Sequence, residues 1–120
     1  MKNIKLYMGD NSSDSSGLLK ELEQQANDVK LEVLSGDDKL KDESDFIFYV
    51  FTPKSKGINT IVNVVNDSNY FKGKTIFLVL NEDNGFTSHQ VKSLIATGKM
   101  VKLNGGQWFD NWNELIEFLK

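Results

Sequence analysis

Two polar loops and one amide-rich helix hold the side chains of this chain best suited to bind something. The first loop, residues 9–17, reads "GDNSSDSSG". Short hydroxyls at the start of a helix can hydrogen-bond a sugar or a phosphate, and the helix dipole favours an anion there. Asp10 and Asp14 work against a phosphate and in favour of sugar hydroxyls or an amine. A solvated loop with a serine N-cap accounts for the same residues. The second loop, "TPKSKG" (52–57), leads into a helix, where Lys54, Lys56 and the free amides near Gly57 can hold an anion. In that helix Ile58, Ile61, Val62 and Val65 make the apolar stripe. Asn59, Asn63 and Asn66 fall within about 60° of one another at about 100° per residue, and Tyr70 continues their line. Asparagine is a poor helix former because its side chain competes for backbone hydrogen bonds. By composition alone this stripe is a solvated face. His89, in the first turn of its helix, reads as exposed and inert. Trp108 and Trp112 read as closing the end of the core, with base stacking as the alternative.

Several chemistries are excluded outright. There is no cysteine, hence no disulfide, thiolate metal site or cysteine nucleophile. A single histidine cannot build a multi-histidine zinc site. All 14 basic residues are lysine, so no arginine fork is available for phosphate or guanine. A net charge of −3 argues against a nucleic-acid partner. No cofactor or metal is expected.

The elements that must position these residues alternate between strand and helix. Strands are predicted over 3–8, 29–34, 45–51, 74–80 and 99–103, with helices over 18–27, 58–69, 87–97 and from Asn111 onward. "VKLEVL" (29–34) alternates as a half-buried strand should, whereas "FIFYVF" and "TIFLVL" are continuous apolar runs of strands covered on both faces. The stretch 35–44 is a charged connection with room for one helical turn. Thr87 with Gln90, and Asn111 with Glu114, have the spacing of capping boxes, and Gly98 is expected to end the third helix. "NGGQWFD" is expected to be a turn. A chain of 120 residues suits one domain over 1–120. The class is α/β: a single-domain three-layer sandwich whose five-stranded parallel sheet has the flavodoxin-like order 2-1-3-4-5. In such sheets ligands bind beyond the carboxyl ends of the strands where the winding reverses, here between strands one and three. No apolar run is long enough to span a bilayer, so no membrane partner is expected and the protein is placed in the cytoplasm.

The opening "IKLYMGD", the run "SDFIFYVFTPKSKGINTIVNVVNDSNYFKGKTIFLVL" and "HQVKSLIATGKMVKLNGG" together resemble the nucleoside 2-deoxyribosyltransferase-like family, in a short version. The resemblance implies a nucleoside or nucleotide held at the switch point, with Tyr7, Gly9, Asp10 and Asn11 facing Ser55, Gly57, Asn59 and Asn63 across one cleft. The family's enzymes attack the anomeric carbon with a glutamate in the helix after the third strand, as retaining glycosidases do. Asn63 occupies that position here, and an amide cannot replace the carboxylate. The resemblance therefore implies a nucleoside binder with impaired catalysis, suited to sensing or sequestration. Short members of this kind fit bacteriophages. It also implies a homo-oligomer, because family members complete their pockets with a neighbouring subunit.

Three alternatives remain in view. The first is an active deoxyribosyltransferase or N-glycosidase using a displaced carboxylate from among Asp10, Asp14, Asp37, Asp38 and Glu43, with Asp67 the only acid in the helix itself. The second is a flavodoxin-like FMN binder, for which "DNSSDSS" would be the phosphate loop. The third is a receiver domain, which "YVFTP" disfavours because no phosphoacceptor aspartate ends the third strand.

Overall fold

The computed structural model describes residues 2–9, 20–53 and 58–120. Five strands form one sheet: β1 (Lys2–Met8), β2 (Val29–Leu34), β3 (Phe46–Phe51), β4 (Thr75–Val79) and β5 (Gln107–Phe109). Their order is β2-β1-β3-β4-β5, and all neighbours are parallel. The helices are α1 (helical over 20–25), α2 (Lys39–Glu43), α3 (Ile58–Tyr70), α4 (Ser88–Leu103) and α5 (Trp112–Leu119). This is the expected doubly wound α/β architecture.

The central strands are apolar because both their faces are covered. Phe48 and Val50 of β3, with Ile76 and Leu78 of β4, pack on Leu22 of α1 and on Leu115, Ile116 and Leu119 of α5. Ile47, Tyr49 and Phe51, with Phe77, point the other way onto Val64 of α3 and onto Leu94 and Val101 of α4. Each fully buried Leu, Ile or Phe contributes roughly 1.5–3 kcal/mol of transfer free energy. At the edge, β2 keeps its alternation: Lys30 and Glu32 are exposed while Leu31 and Val33 are half-buried. No helix among the described residues is long and apolar enough to cross a membrane.

Two expectations about the last third of the chain are corrected. The stretch 99–103 is not a strand but the end of α4, and the fifth strand is Gln107–Phe109, inside the segment expected to be a turn. Gly98 does not stop the helix. A Cβ at Gly98 would stand 2.2 Å from a carbon of the Trp108 indole, so the glycine exists to let that ring lie directly on α4. The stop lies further on, where Asn104 caps the helix and Gly105 turns left-handed (φ 88). Leu94, Thr97, Gly98 and Val101 are the buried face, a helical spacing that runs straight through "KMVKL". The capping box of Thr87 and Gln90 is complete in both directions. Asn111 caps α5 by accepting from the Glu114 N–H at 2.9 Å.

Candidate functional site

Near the β1/β3 switch point the described residues make a core rather than a cleft. Tyr7 is buried, and its hydroxyl donates to the Gly36 carbonyl at 3.1 Å. The Gly9 N–H donates to the Phe48 carbonyl at 3.0 Å. A Cβ on Gly9 would stand 2.3 Å from the ring of Tyr49, so this glycine serves the close approach of a core tyrosine. Asp10, Asn11, Ser55 and Gly57 lie outside the described residues, as do Asp14, Lys54 and Lys56 and the side chain of Asn59. Asn63 and Asn66 are exposed on the outer face of α3, the solvated position their composition predicts.

The acid of α3, Asp67, is buried beneath that stripe. It accepts from the Tyr49 hydroxyl at 2.5 Å and from Lys41 Nζ at 3.1 Å. Lys41 also lies 3.5 Å from Asp38 and stands over the Tyr7 ring, 5.5 Å from its centroid. Lys74 ties the same corner by donating to the Asp42 carbonyl at 3.0 Å. Burial pushes the Tyr7 hydroxyl above its ordinary pKa. Burial alone would lower Lys41, but the hydrogen bond and charge of Asp67, with help from Asp38, hold it above the ordinary lysine value. Engaged on both oxygens, this buried carboxylate ties α3 to β3 and to α2.

A cavity of about 350 Å³ opens instead at the carboxyl ends of β4 and β5. Val79, Phe86, Leu94 and Trp108 make apolar walls, with Asn81 and Asp110 as its polar groups. The loop after β4 shapes one side. Asn81 accepts from the Phe86 N–H at 3.2 Å, and between them Asp83 and Asn84 adopt left-handed φ values of 54° and 52°. Asp and Asn tolerate that conformation better than other residues with a Cβ. The closure swings Phe86 inward, where it stacks on Phe51 with ring centroids 6.0 Å apart. Trp108 is fixed by Gly98, and its indole N–H is buried without an acceptor among the described residues. Asn81 and Asp110 also line a second cleft, together with Glu21, Glu82 and Trp112. Among the described residues no lysine lines either space.

No family model matches this chain. No curated protein matches it either. Among solved structures, a response regulator from Colwellia psychrerythraea is similar over 97% of this chain and 93% of its own, at 12% identity and a TM-score of 0.43. The regulatory domain of the master biofilm regulator CsgD is similar over 95% of this chain and 98% of its own, at 16% identity and a TM-score of 0.37. No functional property is transferred from them. No family model and no curated relative supports the nucleoside 2-deoxyribosyltransferase-like family expected from the sequence, and that expectation is corrected. The nucleoside-binding function, its small-molecule nucleoside partner and the assembly that was to complete that pocket go with it. The runs that carried the resemblance are buried strands and two helices, which any doubly wound domain needs in that order.

The sequence reading overlooked Glu21, Asn81, Glu82, Phe86 and Asp110. A signal was present: "NEDNGF" follows a fully buried strand and so stands at its carboxyl end. Asp110 escaped because the strand before it was misplaced.

Proposed function

We propose that this domain binds a small organic cation with an apolar body at the carboxyl ends of β4 and β5. One observation carries the reading: an apolar-walled cavity shares Asn81 and Asp110 with a cleft edged by Glu21 and Glu82, and among the described residues no basic side chain lines either. Apolar walls favour a hydrocarbon or aromatic body by roughly 0.8 kcal/mol per buried methylene. The carboxylates attract an ammonium group and repel phosphates and carboxylates. Among the described residues no three His, Cys, Asp or Glu side chains gather as a metal site requires. Glu21, Glu82 and Asp110 line the same cleft, where their carboxylates can accept hydrogen bonds from an ammonium group.

The test is a titration followed by tryptophan fluorescence and thermal unfolding, since Trp108 and Trp112 line the two spaces. 2-Phenylethylamine is expected to raise the melting temperature and shift the emission, while 3-phenylpropanoate does neither. Asp110→Lys should weaken the amine roughly tenfold or more, the loss of about 1.4 kcal/mol. Equal binding of the carboxylate, or no response to the amine, would overturn the reading.

A further inference from the structure

Among the described residues β2 is an edge strand, paired on one side only, with β1. Its six residues run in unbroken register with β1, and they include no proline. Natural edges of this kind are usually blunted by a bulge, a proline or a covering segment. α2, only five residues long, leaves one face of this edge open, where Asn3 and Lys5 of β1 are exposed beside Lys30 and Glu32. On the other face Val29 is buried, while Leu31 and Val33 remain half-buried.

We propose that β2 pairs antiparallel with β2 of a second copy, about a two-fold axis at Leu31, so that two sheets become one continuous sheet. The occupant is fixed by the charges on the strand. A two-fold pairing that keeps polar and apolar faces matched can shift only in steps of two residues on the partner strand. Centred on Leu31, it sets Lys30 opposite Glu32 of the second copy and Glu32 opposite Lys30. The same register sets Leu31 opposite Leu31, and Val29 opposite Val33, on the apolar face. One step either way sets Lys30 against Lys30 or Glu32 against Glu32, which is unfavourable for directly opposite residues. The strand is thus complementary to itself in one register, and an isologous two-fold contact closes after two copies. The assembly completes no pocket: β2 and β5 are opposite edges of the sheet, so the cleft beside β5 can bind or fail to bind independently.

Sedimentation velocity over a wide concentration range tests the pairing, with Lys30→Glu and Glu32→Lys as variants. Both residues are exposed, so each variant should stay folded by circular dichroism. Wild-type protein is expected to dimerise as concentration rises. Either single reversal should weaken self-association roughly tenfold, because both symmetric pairs become repulsive. An equimolar mixture of the two single variants should pair with each other, and Lys30→Glu combined with Glu32→Lys in one chain should restore the homodimer. The native chain has no cysteine, so Leu31→Cys reports the axis directly. Mild oxidation should link two copies through it, whereas Lys102→Cys, exposed on α4 beside the opposite edge of the sheet, should stay uncross-linked. A wild-type monomer at every concentration, with no Leu31→Cys cross-link, would overturn the proposal. So would a dimer indifferent to the charge reversals.

Discussion

Asp67 and Asn66 are neighbours in α3 with opposite fates. Asn66 faces solvent, whereas Asp67 is buried against Tyr49 and Lys41. Helical angle put Asn63 and Asn66 on one stripe, and their composition marked that stripe as a solvated face, which their exposure matches. The role of Asp67 was not legible, because its partners are 18 and 26 residues away along the chain. Asp67→Ala should cost about 3 kcal/mol in urea denaturation, since it removes the buried carboxylate that accepts from both Tyr49 and Lys41. Asn66→Ala should instead stabilise by a few tenths, about 0.5 kcal/mol, through helix propensity. An equal response to the two would contradict the burial of Asp67. The same corner sets an alkaline limit. Tyr7 and Lys41 are both held above their ordinary values of 10.0 and 10.5, so folding favours their protonated forms. Their contribution is complete below about pH 10 and is lost as pH rises through the raised values. Denaturation near pH 8 and near pH 11 should show a loss in the wild type that is smaller in Lys41→Met, measured as the difference between the two conditions.

At the scale of elements, continuous apolar runs identified β3 and β4 because burial on both faces leaves no place for polar residues. Strict alternation identified β2 for the converse reason. The method failed at α4 and β5, and Gly98 explains why. A glycine followed by "KMVKL" reads as a helix stop and a short alternating strand. In the folded chain the missing side chain is filled by Trp108, ten positions later. The contact makes a sharp prediction. Gly→Ala in a helix interior ordinarily stabilises by about 1 kcal/mol. Gly98→Ala should instead destabilise, because its Cβ meets the indole at 2.2 Å. In a Trp108→Ala background the sign should revert to stabilising, a coupling that a double-mutant cycle reads directly. Additive effects would show that Trp108 does not rest on Gly98.

For the whole molecule, the alternation of strands and helices and the right-handed crossover rule were enough to give the order 2-1-3-4-5. The rule that ligands sit at the reversal of winding pointed to β1 and β3, where Asp10, Asn11, Ser55 and Gly57 lie outside the described residues. A cavity lined by described residues stands at the carboxyl ends of β4 and β5. Its walls come from three separate stretches, around Val79–Phe86, Leu94 and Trp108–Asp110, and only the closed sheet brings them together. That cavity is best tested by nuclear magnetic resonance, following backbone amide shifts during titration with 2-phenylethylamine. Perturbations should concentrate in residues 79–86, 91–95 and 108–112, and grow along one saturable curve. Saturable shifts confined to residues 2–9 and 45–70, or none at all, would contradict the account.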